Sequence, residues 1–243
     1  MISIEGTLKA AALVDSGDLP VEPEIEEMVE FEAIVTFGRL HVQKGYEFLL
    51  HAFRRVLNSR PKARLLLIGE GPERERLWNV AAELGLRCGI NASEADVIFA
   101  GVKSDPIRYA RVGRVFAFPS LYEGLPNALI EAIAAGVPVL ASDSPWGPRS
   151  ILSGGTLGYD KELSLPTRLA HGTLMPLPDG PNALTICSDE LEQALERSKP
   201  RVPKQDRLEA IEGYDIGQTG PRWLHLAMEM SEPSKHTERA SQP

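Results

Sequence analysis

The chain has 243 residues, 43% of them hydrophobic and 25% charged, with a net charge of −8. That is enough chain to bury a full core without staples, and its charge has the wrong sign for a general nucleic-acid binder. Cys88 and Cys187 stand far apart with no metal-ligand spacing, which argues against a disulfide framework and fits a reducing cytoplasm.

Residues 1–32 are acidic, carry Pro20 and Pro23, and read as a linker or the remnant of an interdomain connection, with a weak helix over 5–14. Glu5 and an apolar run of only Ala10–Val14 make a poor signal peptide. From residue 33 the pattern changes. AIVTFG, 33–38, predicts a buried strand. Apolar residues then recur at helical spacing between Lys44 and Arg60, until Pro61 stops them. ARLLLIG, 63–69, predicts a second strand, followed by a helix from Pro72 to about Leu84 with Gly85 as its C-cap.

VIFAG, 97–101, predicts a third strand, Pro106 opens a short helix, and VFAFP, 115–119, predicts a fourth strand. A helix from Leu125 to Ala135 leads through Gly136 to a fifth strand, 137–142. The longest apolar stretch, 132–141, is broken by Gly136 and Pro138, so nothing here spans a bilayer. Residues 155–171 read as a loop, 172–176 as a return to the sheet edge, 188–197 and 223–230 as helices, and 231–243 as a disordered tail. Strands alternating with helices predict an α/β fold, a Rossmann-like parallel sheet with helices on both faces, over residues 33–200. A helical extension over 201–230 follows it. Ligands of such sheets bind at the carboxyl ends of the strands.

Every chemistry-bearing cluster follows a predicted strand. Gly38-Arg39-Leu40 and Lys44-Gly45 put two cations beside a helix start, a site suited to a diphosphate. Taken alone they read more readily as solvated turn residues. Gly69-Glu70-Gly71-Pro72 is a tight strand-to-helix turn rather than a dinucleotide fingerprint. Ser120-Leu121-Tyr122-Glu123-Gly124-Leu125-Pro126-Asn127 ends in a helix that carries Glu131 eight residues after Glu123. If helix geometry held throughout, the two carboxylates would lie about 12 Å apart along the axis. That is too far for a paired-carboxylate hydrolase, but it suits gripping hydroxyls at opposite ends of one extended ligand. Arg149, in Gly147-Pro148-Arg149, is either a further anion contact or a loop residue in solvent. No Ser, His or Cys arrangement supports a hydrolase triad, and no cluster has metal spacing. Trp146 sits beside the predicted cleft.

The stretches FGRLHVQKG, LLLIGEGP, VIFAGVKSDP, FAFPSLYEGLPNALIEAIAAGVPVLASD and GPRSIL, in this order between Ile34 and Pro176, closely resemble one known domain. It is the C-terminal, donor-binding domain of glycosyltransferase family 4, the group 1 retaining transferases, and forms one half of a GT-B fold. The resemblance implies transfer of a hexosyl group from a nucleoside diphosphate sugar. Arg39 and Lys44 would neutralise the diphosphate and the charge that builds on it. Glu123 would contact the donor sugar hydroxyls, and Glu131 the ribose hydroxyls. The backbone at Gly38, Gly124, Leu125 and Pro126 would line the sugar and phosphate region. The catalytic set would be Arg39, Lys44 and Glu123, with no metal and no cofactor. GPRSIL and GTLMP are similar to segments of bacterial enzymes that build surface polysaccharides, with Ser150 where that subgroup has Glu.

The family's second domain, N-terminal to this one, binds the acceptor and supplies a His near the donor sugar. Only about 32 residues precede the match, so a separate N-terminal domain or subunit is expected as a partner. The expected location is cytoplasmic, with peripheral attachment at the inner membrane face as a variant. Two other readings stay open: an inactive or binding-only nucleotide-sugar module, and a nicotinamide-dependent Rossmann enzyme. The missing GxGxxG counts against the second.

Overall fold

The protein is described by a computed structural model over residues 21–145, 147–158 and 163–197 and at positions 203, 205–207, 211 and 214. The expected helices at 5–14 and 223–230, the tail at 231–243 and Trp146 lie outside the described residues.

An eight-stranded sheet forms the centre: β1 (Glu32–Phe37), β2 (Ala63–Ile68), β3 (Cys88–Gly89), β4 (Val97–Phe99), β5 (Val115–Phe118), β6 (Val139–Ser142), β7 (Thr167–Leu169) and β8 (Gly172–Met175). The order across the sheet is β3-β4-β2-β1-β5-β6-β8-β7. All neighbours are parallel except the final pair, β7 with β8. From β1 the chain winds outward through β2 to β4. It then crosses to β5 and winds the other way, so the order reverses between β1 and β5.

Side-chain alternation divides the core into two layers. Val35 and Phe37 of β1, Leu66 and Ile68 of β2, and Phe116 and Phe118 of β5 face one side. Ile34, Leu65, Leu67, Val115 and Ala117 face the other. Because both faces are covered, these strands read as unbroken apolar runs rather than alternating ones.

Helix α2 (Tyr46–Ser59) packs Leu49, Leu50, Phe53 and Val56 into the second layer, beside α3 (Arg74–Glu83) and α7 (Ala183–Glu196). The first layer is covered by α4 (Ile107–Ala110), α5 (Asn127–Ala134) and α6 (Pro148–Ser153). The lead-in segment joins them: α1 (Pro23–Glu26) and the 3-10 turn Glu27–Glu30 bury Ile25 and Met28. The expected loop at 155–171 contains β7, a three-residue edge strand.

Candidate functional site

The crevice where the strand order reverses is built by two loops that dock on one another. The loop after β1 ends in a 3-10 turn, Val42–Lys44, so Lys44 precedes α2 by a tight turn rather than starting the helix. Gly45 makes that turn at φ +64, and a Cβ there would collide with the Pro119 carbonyl oxygen. Only glycine permits this approach. Leu121 N–H donates to the Gln43 carbonyl at 2.8 Å, and Gln43 Nε2 donates to the Tyr122 carbonyl at 2.8 Å. The loop after β1 is thereby fastened to the loop after β5.

This docking carries Lys44 onto Glu123. Lys44 Nζ donates to Glu123 Oε1 at 2.7 Å, with side-chain exposures of 17% and 5%. The ammonium also lies 5.4 Å from the centre of the Phe118 ring. The sequence treats the two residues as separate features; 79 positions apart, they meet as one partly buried ion pair.

Arg39 follows β1, is exposed, and among the described residues makes no ion pair. Behind it, Gly69-Glu70-Gly71 is zipped to Gly38-Arg39-Leu40. Gly38 N–H donates to the Ile68 carbonyl and Leu40 N–H to the Glu70 carbonyl, each at 2.9 Å. A Cβ on Gly69, at φ +140, would collide with the Gly38 carbonyl oxygen. The turn that the sequence presents as a simple connection therefore sets where Gly38 and Arg39 stand.

Helix α5 begins at Asn127, preceded by Pro126 and without a side-chain cap. Residues 123–126 are not helical, so the 12 Å separation inferred from continuous helix geometry does not apply. Gly124 is exposed, and a Cβ there would meet nothing within 4 Å. Its missing side chain is not a packing requirement. Leu125 is exposed, while Pro126 is buried against Gly147. Glu131, one turn into α5, is largely buried. Burial and the nearby charge of Asp105 push its carboxyl up to about 7.

Gly38, Arg39, Lys44, Glu123, Leu125 and Glu131 line one cleft of about 480 Å³, whereas Gly124 and Pro126 are not part of its lining. Glu70 and Lys103, to which the sequence reading assigns no role, also line it. The signal that could have flagged them is the one used for the others: each follows a strand on the same edge of the sheet.

Arg149 corrects one expectation. Rather than facing an anion or solvent, it is buried, and its Nε donates to Asp143 Oδ1 at 2.8 Å. Both carboxylate oxygens of Asp143 are engaged by the guanidinium, which pins α6 to the end of β6. No group of three or more His, Cys, Asp or Glu residues with metal-holding geometry occurs among the described residues.

The sequence model for glycosyl transferases group 1 matches residues 32–175. An uncharacterised glycosyltransferase of Methanocaldococcus jannaschii is 36% identical over 118 residues, covering 49% of this chain and 27% of that protein. A Campylobacter jejuni N-acetylgalactosaminyltransferase acting on a diphospho-undecaprenol-linked acceptor is 28% identical over 146 residues, covering 60% and 37%. The chain thus spans well under half the length of these relatives. The Anabaena protein HepE, solved in complex with UDP, superposes with a TM-score of 0.62 at 16% identity, covering 86% of this chain and 54% of that one. That likeness concerns the fold: an α/β, Rossmann-like half of a GT-B architecture.

Proposed function

This chain belongs to the group 1 glycosyl transferases, and from that premise we propose that it is the donor-binding half of a retaining hexosyltransferase. The donor is a nucleoside diphosphate sugar, and the setting is bacterial surface polysaccharide or related glycan synthesis. The observation that carries this reading is the convergence of Arg39, Lys44, Glu123 and Glu131 on one cleft where the strand order reverses, the position at which open α/β sheets bind ligands.

Arg39 offers a forked guanidinium to the diphosphate and Lys44 a compact point charge. An ammonium has three N–H donors. With one on Glu123, Lys44 keeps two for phosphate oxygens. When the bond between the anomeric carbon and the diphosphate oxygen breaks, negative charge builds on the leaving group, and these two cations stabilise it. Glu123, held by Lys44, accepts from the sugar hydroxyls. The open backbone at Gly38 and Gly124, together with Leu125 and Pro126, lines the sugar and phosphates near the uncapped start of α5. Glu131 accepts from the ribose hydroxyls. No metal or cofactor enters the proposal, because two cations and a helix start supply the positive charge.

Acceptor binding is assigned to a further N-terminal domain or a separate subunit. We place the protein in the cytoplasm, with peripheral contact at the inner membrane face. Among the described residues no helix is long and apolar enough to cross a membrane. UDP is the first nucleotide to test, since HepE was solved with it.

The test is to mix the protein with UDP-, GDP- and ADP-sugars and follow both saturable binding and release of the nucleoside diphosphate. Binding that is lost in Lys44→Ala and in Glu131→Ala is expected. Binding without release would favour the binding-only module. Affinity unchanged in both variants would refute the site assignment.

A further inference from the structure

Lys103, which lines the cleft, is ion-paired with Glu22. Glu22 caps the start of α1, its carbonyl accepting from Ile25 N–H and Glu26 N–H at 2.9 Å each. Its carboxylate accepts from Lys103 Nζ at 2.7 Å and from the Tyr109 hydroxyl at 2.9 and 3.1 Å. The Lys103 ammonium lies 5.5 Å from the centre of the Tyr109 ring, and the side chain is only 19% exposed. The Glu22 side chain is 46% exposed, but its backbone is tethered: Ile25 and Met28, just after it, are buried in the core, and Glu26 is ion-paired with Arg111. The Lys103 hydrogen bond leads the causes that hold the Glu22 carboxyl down at about 2, so the contact is a charged one at any working pH.

Lys103 follows β4 and lines the cleft beside Val102, Pro106 and Glu131. Two strand spacings, roughly 10 Å, separate β4 from β1, where Arg39 and Lys44 stand. A ligand whose diphosphate lies at β1 and β5, and whose ribose reaches Glu131, therefore extends its nucleoside toward Lys103. A free lysine would have to give up its rotamer freedom to meet it. Here Glu22 and the Tyr109 ring already hold the ammonium, and two of its three N–H donors remain.

We propose that Glu22 is a positioning residue for Lys103, which contacts the nucleoside end of the donor, so that the segment leading into the domain is part of the donor site. The inference rests on the donor reading of the cleft.

The test is a double-mutant cycle on the full chain with Glu22→Gln, Lys103→Met and both together. Dissociation constants are measured calorimetrically for UDP, GDP and inorganic pyrophosphate. Lys103→Met weakens nucleoside diphosphate binding roughly tenfold, the range for losing one charge-assisted hydrogen bond. Glu22→Gln weakens it about threefold to tenfold by the same measure. The double variant binds no worse than Lys103→Met alone. Pyrophosphate affinity is unchanged throughout. An equal effect of Glu22→Gln with and without Lys103, an unaltered affinity in every variant, or a matching loss for pyrophosphate overturns the proposal. If Lys44→Ala abolishes binding while Glu22→Gln does nothing, the donor reading stands and this one fails. If the wild type binds no nucleoside diphosphate, both fail.

Discussion

The two ends of the cleft handle charge in opposite ways. At the β1 and β5 end, Glu123 is buried but sits 2.7 Å from the Lys44 ammonium, so its charge is compensated before any ligand arrives. At the α5 end, Glu131 is largely buried near the repulsive Asp105 charge, and its carboxyl is raised to about 7. The first end is organised in advance, as electrostatic catalysis requires. The second carries an ionisation penalty that a ligand donating hydroxyl hydrogens relieves. A site in which one carboxylate is satisfied internally and the other awaits its partner implies a ligand with a definite orientation.

Four substitutions test the contrast between the two ends. The largest effect is expected at Gly45, whose φ is +64 and whose Cβ position is taken by the Pro119 backbone. Gly45→Ala separates the two docked loops, costing more than about 4 kcal/mol of stability and disassembling the Lys44–Glu123 pair. A urea midpoint equal to wild type would show that the docking does not hold the site.

Next is Lys44→Ala, which leaves Glu123 buried without its cation. Removing one partner of a buried pair typically costs about 3–5 kcal/mol. The partial exposure of Lys44 (17%) moves the expectation to the lower part of that range. Nucleotide affinity falls on the order of a hundredfold, because phosphate loses its point charge. Adding Glu123→Gln should recover stability but not binding. Recovery of both would assign Lys44 to folding alone.

Glu131→Gln separates stability from function. The folded-state pKa of Glu131, about 7, lies above its ordinary value of 4.5. The folded protein therefore holds a proton that the unfolded chain releases as pH rises from 4.5 to 7. Glu131 thus costs nothing below pH 4.5, and its destabilisation grows to a plateau above about pH 7. Glu131→Gln should gain roughly 1–3 kcal/mol over wild type at pH 8 and little at pH 4.5. UDP affinity should fall by about tenfold or more at pH 8. In wild type the affinity should weaken as pH drops below 7. Comparison with Glu131→Gln cancels the titration of the phosphate itself. A pH-independent difference in stability would place Glu131 outside the buried environment.

The smallest structural effect belongs to Gly124→Ala. Open space surrounds the added methyl, so stability should stay within about 0.5 kcal/mol of wild type. Donor affinity should drop if the backbone there approaches a ligand closely. A loss of stability with unchanged affinity would reverse that reading.

Much of the scaffold was legible because doubly buried parallel strands write themselves as apolar runs. ARLLLI of β2 and VFAF of β5 fall where the sequence placed them. Strand order was not legible, since it depends on pairings between distant segments, and the reversal at β1 and β5 appears only in the folded sheet. The two-residue β3 and the edge strand β7 were too short and too polar to register. Helix α6 was hidden behind Gly147-Pro148, which reads as loop, and the buried partner of Arg149 belongs to the preceding strand end. In the candidate site, the positions after strands could be picked out. Their relations could not: nothing local shows that Lys44 reaches Glu123, that Glu131 makes no ion pair among the described residues, or that Glu22 holds Lys103.

The most direct test compares UDP with inorganic pyrophosphate as ligands of the wild type, Lys44→Ala and Glu131→Gln, by equilibrium titration at pH 8. Lys44→Ala should weaken both ligands, because both present phosphate, whereas Glu131→Gln should weaken UDP and leave pyrophosphate unchanged. Equal losses for the two ligands in Glu131→Gln, or no loss for pyrophosphate in Lys44→Ala, would contradict the assignment of one end of the cleft to phosphate and the other to ribose.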